Sequence, residues 1–461
     1  MLKVKVRSVN MGGIKFFAAL WLARICRFLI NLLAPGRGTT LPGSLALKID
    51  PGFIGHFRNI DLNKVVYITG TNGKSTTTNL LAAILKKANI CVAVNLEGAN
   101  LAAGVAVTLL SHASLRGRFL AEYIVMETDE RFLPVISRYL PPARLCVTNI
   151  QKDQVQRNGE PDIIYGKIVE SLKAETVLFL NNEEPHTVSL AALVDKSIFY
   201  GVEENAKSFV KRGFFTTTMP CPRCGAPIRF MRYNIDNIGS FACSRCALAS
   251  SSAPAYFAHN IDYPAHTFMV GDQTYPLPYD APYFLYCYIA AIAIARDIGV
   301  SPEICGAALA DFVNIDGRLE EMKTGGKTIH YIRMKQENPE TLQSALNYIA
   351  ADQRPKIFLL GLDELVDFHP HYTNTFYAFD CDFDKLIDSQ VAHYICFSGT
   401  VAYDAANRLV YAGVPKDKIT VLPTNDDQAI ITEVEKFDCD SVYLITWLYK
   451  FKSLYKYLQS R

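Results

Sequence analysis

The chain of 461 residues lacks a strong charge of either sign, because 47 Lys and Arg side chains nearly balance 45 Asp and Glu. With a net charge of only +2, it has no global positive field, and this argues against nucleic acid as the partner. Half of the residues are hydrophobic and a fifth are charged, which is ordinary globular composition. This excludes a disordered tail, a collagen-like repeat and a small disulfide scaffold. At ~150 residues per domain, the length predicts about three domains.

Residues 1–37 contain no acidic side chain, although they carry Lys3, Lys5, Arg7, Lys15, Arg24, Arg27 and Arg37. The apolar stretch from Phe16 to Ala34 is interrupted by Arg24 and Arg27, whereas a spanning helix needs ~20 apolar residues with few charges. No clear small-residue cleavage site follows the stretch, which argues against a signal peptide. Three interpretations stay open: a helix packed on its own domain, a basic amphipathic helix lying against an anionic membrane surface, or a spanning helix, against which the two arginines argue.

A glycine-rich loop stands between a predicted strand and a predicted helix. The β-branched and aromatic run Val65–Thr69 predicts a buried parallel strand, and Thr77–Lys87 has a helical pattern. Between them lie Gly70, Thr71, Asn72, Gly73, Lys74, Ser75 and Thr76. The glycines let backbone N–H groups close around phosphate oxygens, and the helix N-terminus adds its positive dipole end. We expect Lys74 to reach the β- and γ-phosphates of ATP, and Ser75 or Thr76 to hold Mg²⁺.

The compact loop and the segments after it resemble the Mur ligases, which make peptidoglycan peptides. Asn95–Leu101 resembles the family's Gly-Ala-Asn turn, and the predicted strand Tyr123–Glu130 ends in carboxylates. In the family the first of these carboxylates binds the ATP-linked Mg²⁺, so the resemblance gives this role to Glu127. Arg318 stands where the family has an arginine that faces the γ-phosphate, which implies that it neutralises charge during phosphoryl transfer.

A finer resemblance is to the MurT branch, the ligase-like subunit of lipid II isoglutaminyl synthase. After the strand Cys146–Ile150, the chain keeps most of this branch's pattern: Asn149, Asp153, Gln154, Arg157, Gly159 and Glu160. The resemblance includes Asn149 among the nucleotide-binding residues. Peptide-forming Mur ligases generally have His where Gln154 stands, so this residue points away from an amino-acid-adding ligase.

Four of the twelve cysteines form two Cys-x-x-Cys pairs, Cys221 with Cys224 and Cys243 with Cys246. Two such knuckles at this separation predict a tetrahedral Cys₄ zinc ribbon. Four protein ligands leave no open position for water, so the predicted Zn²⁺ is structural. An inserted ribbon is also a feature in which the chain resembles MurT-type proteins. The other cysteines are interpreted as reduced thiols in a reducing compartment.

Two departures from the family pattern concern the adenine site and the partner. Phe284 and Cys287 stand where the family has asparagines, the first of which contacts adenine. MurT proteins also carry an Asp that completes the Cys-His site of a glutaminase partner. Counting along the chain places Asn374 at that position, while Asp367 is the nearer carboxylate. Both stay open as the residue that orients the partner's histidine.

The sequence therefore predicts an α/β fold in three parts. An N-terminal basic, amphipathic segment covers residues 1–50. A Mur-ligase-like central P-loop ATPase domain covers 51–315, with the Cys₄ zinc ribbon inserted at about 215–255. A C-terminal doubly wound α/β domain of the MurT type covers 316–461.

The resemblance implies ATP-dependent amidation of the D-glutamate α-carboxylate of lipid II to D-isoglutamine through an acyl phosphate. The chain has no recognisable glutaminase motif, so ammonia is expected from a separate GatD-like subunit in a heterodimer. The expected location is cytoplasmic, at the inner face of the membrane. Two alternatives stay open: an amino-acid ligase like folylpolyglutamate synthetase, and a non-catalytic scaffold with a degraded ATP site.

Overall fold

The computed structural model describes residues 11–33, 40–95, 101–153, 159–210, 219–235, 237–312, 319–332, 334, 337–362, 365–366 and 373–461. The chain divides into two compact units. The first contains the elements up to a helix that ends at Ala310, and the second begins with a strand at Leu319. The sequence-based boundary between 315 and 316 lies outside the described residues, so it stays a prediction.

The strands of the first unit form one large sheet and one small hairpin. They are β1 (Val65–Thr69), β2 (Val92–Val94), β3 (Tyr123–Glu127), β4 (Arg144–Val147), β5 (Val177–Asn181), β6 (Lys196–Val202), β7 (Ile228–Phe230), β8 (Phe241–Cys243), β9 (Tyr256–Asp262), β10 (Thr267–Val270) and β11 (Gln273–Pro276). The large sheet has the order β11-β10-β9-β6-β5-β4-β1-β3-β2. Its strands are parallel from β2 to β9, and β10 and β11 are antiparallel.

Helices cover both faces of this sheet, which is why its central strands are continuously apolar. They are α1 (Met11–Leu33), α2 (Leu41–Ile49), α3 (Lys74–Lys87), α4 (Ala102–Ser111), α5 (Leu133–Tyr139), α6 (Pro161–Val169), α7 (Pro185–Leu190), α8 (Pro282–Ile298) and α9 (Pro302–Ala310). The core on one face contains α3, α8 and α9, and the core on the other contains α1, α2, α4, α5 and α6. Helix α8 is buried without interruption from Phe284 to Ala295, so it is a central core helix.

The small hairpin of β7 and β8 lies in the chain between β6 and β9. Its register pairs Ile228 with Cys243 and Phe230 with Phe241. A separate small core holds it together, in which Phe241 and Ile228 are almost fully buried beside Cys221. The hairpin is therefore an insertion with its own packing, as the two Cys-x-x-Cys pairs predict.

The second unit is a doubly wound α/β sheet. Its strands are β12 (Leu319–Thr324), β13 (Lys327–Ile332), β14 (Lys356–Gly361), β15 (Leu365–Val366), β16 (Thr373–Asn374), β17 (Val391–Phe397), β18 (Ile419–Leu422) and β19 (Ser441–Ile445). Its helices are α10 (Pro339–Ala351), α11 (Ala402–Tyr411), α12 (Asp427–Glu435) and α13 (Leu448–Gln459). The main sheet has the order β12-β13-β19-β14-β17-β18, and all of its pairs except β12 with β13 are parallel.

Alternate residues of the central strands enter opposite cores of the second unit. Phe358 of β14 lies in the core with α10 and α11, whereas Ile357 lies in the core with α12 and α13. This alternation follows from the two-residue period of a strand. The predicted fold class is thus confirmed in both units.

Candidate nucleotide site and cysteine cluster

The carboxyl ends of β1, β3 and β4 meet at one edge of the large sheet. The parallel register pairs Ile68 with Glu127 on one side and Thr69 with Val147 on the other. The glycine-rich loop leaves β1 at this edge and enters α3 at Lys74. Ligands of open α/β sheets bind outside the carboxyl ends of the strands, so the loop has the expected position.

Two glycines give the loop its shape. Gly70 has φ of +118° and Gly73 has φ of +86°, and both values lie in the region that favours glycine. A Cβ atom on Gly70 would lie 2.3 Å from Thr148 Oγ1 and 2.7 Å from the Asn149 carbonyl oxygen. A larger residue at position 70 therefore cannot be accommodated without moving the neighbouring strand end.

Asn149 fastens the loop from the end of β4. Its Oδ1 accepts from the Asn72 backbone N–H at 3.0 Å, and its Nδ2 donates to the Asn72 carbonyl at 3.1 Å. Its own carbonyl accepts from the Thr71 N–H at 2.8 Å. The structure thus places Asn149 as a brace of the loop backbone. Its predicted contact with nucleotide stays a prediction.

Lys74 lies folded back over its own loop. Its Nζ is 3.0 Å from Oε1 of Glu130 and also donates to the carbonyls of Gly70 and Thr71. The same Glu130 oxygen accepts from the Gly70 N–H at 2.9 Å. Both side chains of this ion pair are largely buried, which strengthens it relative to a surface pair. A bound phosphate would replace this carboxylate as the partner of Lys74.

Sequence reasoning missed Glu130 as a site residue. The strand ends at Glu127 in the structure and not at Glu130 as the sequence predicts, so Glu130 stands in the turn that follows it. Its place three residues after Glu127 was the available signal. Only the fold shows that it contacts the loop 56 positions away.

Glu127 is the last residue of β3 and is 5% exposed. The buried Asn95 side chain fixes its backbone through two hydrogen bonds of 2.7 Å, one to the carbonyl and one from the N–H. Ser75 and Thr76 lie in the first turn of α3, where Ser75 is exposed. The predicted Mg²⁺ ligands thus stand on two elements that begin or end at the same sheet edge. Their metal role stays a prediction.

Phe284 and Cys287 belong to the buried part of α8. The Phe284 ring is 5% exposed and stacks with Tyr279, with centroids 5.0 Å apart. Because its ring is packed in the core, Phe284 does not offer a free face for adenine. Cys287 Sγ lies 3.7 Å from the Gly73 carbonyl oxygen, so α8 packs directly against the phosphate loop.

The four predicted zinc ligands come together at the small hairpin. Their Sγ atoms all lie within 4.8 Å of one another, with Cys221 to Cys246 at 3.6 Å and Cys224 to Cys243 at 3.5 Å. A tetrahedron with Zn–S bonds of ~2.3 Å has edges of roughly 3.8 Å, so the donor set fits the metal.

Backbone hydrogen bonds favour the thiolate form of Cys243 in this cysteine cluster. The N–H groups of Cys246 and Arg245 donate to Cys243 Sγ and lower the pKa of that thiol to about 6. Burial raises the pKa of Cys221 to about 12. All twelve cysteines lie within the described ranges, and none of them forms a disulfide.

The remaining predicted site residues belong to the C-terminal part of the chain. Arg318 and Asp367 lie outside the described residues. Asn374 is in β16, where its backbone pairs with Leu365 of β15. The roles predicted for these three residues stay predictions.

The chain matches two protein families and several named relatives. The profile of the Mur ligase middle domain matches residues 68–241, and that of the MurT ligase C-terminal domain matches 336–448. A relative from Staphylococcus aureus (strain COL) is 27% identical over 400 residues, which cover 86% of this chain and 88% of the relative. One from Streptococcus pneumoniae (strain ATCC BAA-255 / R6) is 27% identical over 439 residues, or 94% of each chain. Both are named lipid II isoglutaminyl synthase (glutamine-hydrolyzing) subunit MurT.

Solved structures agree on the fold. MurF from Acinetobacter baumannii superposes with a TM-score of 0.61 at 16% identity, covering 90% of this chain and 80% of MurF. A pseudomurein peptide ligase type C from Methanothermus fervidus gives a TM-score of 0.60 at 18% identity, with coverages of 87% and 79%. Residues 68–241 thus match a Mur ligase middle domain and residues 336–448 match a MurT ligase C-terminal domain, and these similarities indicate an ATP-dependent ligase.

Proposed function

We propose that this chain is the synthase subunit that amidates the D-glutamate α-carboxylate of lipid II to D-isoglutamine in peptidoglycan biosynthesis. The observation that carries the proposal is the similarity to two MurT subunits over 86% and 94% of the chain. The formed phosphate loop supports it, because an ATP-driven reaction needs that loop intact. The substrate is a membrane-bound precursor, so the protein acts in the cytoplasm at the inner face of the membrane.

The residues at the sheet edge divide the chemistry among them. Lys74 exchanges Glu130 for the β- and γ-phosphates of ATP, while Glu127 and the hydroxyl of Ser75 or Thr76 hold Mg²⁺. Arg318 neutralises charge on the γ-phosphoryl group as it passes to the carboxylate. The products of this step are ADP and an acyl phosphate. Ammonia then attacks the acyl carbon and displaces inorganic phosphate, which leaves the amide.

Ammonia comes from a separate GatD-like glutaminase subunit. Both relatives are named as subunits of a glutamine-hydrolysing enzyme, and this chain carries no recognisable glutaminase nucleophile motif. Free ammonia is mostly protonated at neutral pH and then cannot attack, so the two active sites are coupled within a heterodimer. Asn374 or Asp367 orients the partner's histidine in this arrangement.

Zinc has a structural role in this proposal. Four thiol groups at tetrahedral spacing match the ligand set of a closed Zn²⁺ site, which leaves no position for a catalytic water. The small core around Phe241 contains few buried side chains, so a bound metal would add to the stability of the hairpin.

A non-catalytic scaffold is the second candidate, since Phe284 and Cys287 occupy the positions of the family's adenine-site asparagines. The well-formed loop and the Lys74–Glu130 pair count against it. An amino-acid ligase is the third candidate, and Gln154, which lies outside the described residues, counts against it.

Phosphate release from ATP by the purified complex discriminates these three functions. The assay uses lipid II with ammonium, with glutamine, or with a panel of amino acids. We expect phosphate release to require lipid II together with either ammonium or glutamine. Amino acids should not support phosphate release. Release that needs an amino acid would identify the amino-acid ligase, and no release under any condition would identify the scaffold.

A further inference from the structure

Helix α1 turns its two central arginines toward the protein. The Arg24 guanidinium donates to the carbonyls of Leu110 and Ser114, each at 3.3 Å, and to that of Ala113. Arg27 donates to the Ser111 hydroxyl. These acceptors lie at the carboxyl end of α4, where the negative end of the helix dipole favours cations. The two arginines that interrupt the apolar stretch therefore form hydrogen bonds on the inner side of the helix.

The inner face of α1 is also fixed by apolar packing. Phe16, Ala19, Leu20 and Ala23 are each at most 4% exposed. The Phe16 ring packs between the rings of Phe53 and Phe57 and over Gly117, where any Cβ would clash with it. The helix is therefore part of the first unit's core.

The outer face of α1 is apolar along its whole length. Its exposed apolar residues recur every three or four positions and so form one stripe: Ile14, Ala18, Trp21, Leu22, Ile25, Phe28, Leu29, Leu32 and Leu33. The exposed polar residues of α1 are Lys15 and Asn31. Phe28 and Leu32 are each 67% exposed. A surface helix of a soluble domain normally exposes its polar side to water, whereas α1 exposes an apolar side. A contiguous exposed patch of this kind marks an interaction surface.

Basic side chains on α1 and on a segment that packs against it indicate what covers the stripe. Lys15 lies at its margin, and Arg116 and Arg118 are exposed on the segment that packs against Phe16 through Gly117. The first acidic residue of the chain is Asp50. Basic side chains beside an apolar helix face complement anionic lipid headgroups, and Trp21 is of the residue type that prefers the membrane interface.

Within the described part of the chain, one helix, Gly13–Leu33, is long and apolar enough to cross a membrane. Crossing would require the inner face to leave the core and both arginines to lose their partners on and after α4. A helix that lies flat on a bilayer keeps its inner face in the core and keeps the partners of both arginines. This arrangement still buries the apolar stripe. The contacts of α1 therefore favour the flat arrangement.

We propose that the outer face of α1 is a docking surface for an anionic lipid bilayer, on which the helix lies in the plane of the headgroups. Its purpose rests on the proposed function, because docking would hold the enzyme beside a lipid-linked substrate. The binding itself does not depend on that function and is measurable without any substrate.

Vesicle sedimentation of the full-length chain tests the surface. Vesicles of phosphatidylcholine with about a third phosphatidylglycerol should bind the protein, pure phosphatidylcholine should bind it less, and salt should weaken the binding. The double substitution Ile25→Glu/Phe28→Glu should weaken binding roughly tenfold or more. The matched control is Ile163→Glu/Leu193→Glu, which alters exposed apolar residues elsewhere in the same unit and should bind like the wild type.

Two further measurements separate the alternatives. The thermal midpoint of Ile25→Glu/Phe28→Glu should equal that of the wild type, since both side chains are exposed, and ATP use on a short-tailed, water-soluble lipid II should persist. Vesicle binding that is absent in the wild type or unchanged in the variant overturns the docking surface. The docking surface is also overturned if the wild type is a dimer and the variant is a monomer, because a second copy of the chain would then cover the stripe. Failure of the wild type on the soluble substrate would instead overturn the proposed function.

Discussion

At the scale of single residues, the proposed use of ATP depends most on Lys74. It is the cation of the loop, and its present partner, Glu130, is a carboxylate that a phosphate can replace. Lys74→Ala should abolish ATP turnover in the assembled complex, a loss of at least about 100-fold. Lys86→Ala, at an exposed position of the same helix, is the matched control and should leave turnover unchanged. Amidation by Lys74→Ala at the wild-type rate would mean that the loop does not bind the reacting phosphates.

The residue that completes the partner's glutaminase site is a second residue-scale question. Asn374→Ala and Asp367→Ala should be assayed separately, first with glutamine and then with ammonium. The variant that removes the orienting group should lose glutamine-dependent activity and keep ammonium-driven amidation, because only the partner's histidine is affected. If both variants keep full glutamine-dependent activity, neither residue orients the partner's histidine and the assignment is wrong.

At the scale of elements, the cysteine hairpin should depend on its metal. We expect one Zn²⁺ per chain by elemental analysis, and a chelator should lower the thermal midpoint by unfolding the hairpin. Cys224→Ser should lower the zinc content, whereas Cys91→Ser, at an exposed cysteine outside the cluster, should not. Purified protein without stoichiometric metal and with all four thiols freely titratable would contradict the site.

A buried carboxylate connects the hairpin segment to the core helix α8. Glu183 accepts from the Tyr286 hydroxyl at 2.5 Å, from the Val202 N–H at 3.0 Å and from Arg232 and Asn234 at 3.3 Å. Burial raises the pKa of Glu183. This residue, two positions after β5, thus joins the segment between β7 and β8 to the helix that packs against the phosphate loop.

Glu183→Gln should lower the free energy of unfolding by about 3 kcal/mol, because an amide cannot satisfy all these donors and leaves Arg232 without its buried partner. The matched control is Glu204→Gln, whose exposed carboxylate lies 3.9 Å from the same guanidinium and should change stability by less than about 1 kcal/mol. Denaturant unfolding of the three proteins measures both values. Equal stability of wild type and Glu183→Gln would show that the network is not structural.

At the scale of the whole molecule, local patterns predicted the fold well. The strand Val65–Thr69 was predicted with the bounds that the structure has, and the Cys-x-x-Cys pairs predicted the cluster. Both depend on neighbouring residues alone. The contacts of Glu130 with the loop and of Arg24 with the end of α4 join positions 56 to 90 apart, so no local pattern reports them.

The same difference explains why α1 was ambiguous in the sequence. In the sequence, Arg24 and Arg27 only interrupt an apolar stretch. The structure shows that their hydrogen-bond acceptors lie on α4 and directly after it. Phe284 likewise stands where the family has an adenine-contacting asparagine, and only the burial of its ring shows that it packs in the core.

The most direct test of the whole account follows the amide nitrogen of glutamine into lipid II. The chain and its glutaminase partner are incubated with lipid II, ATP, Mg²⁺ and glutamine labelled with ¹⁵N in its amide group, and the lipid II is then fragmented in a mass spectrometer. We predict one ¹⁵N atom per lipid II, as the amide on the α-carboxyl of D-glutamate, with one ATP consumed per amide formed. Lipid II that stays unlabelled, or that gains an amino acid instead of an amide, would contradict the account.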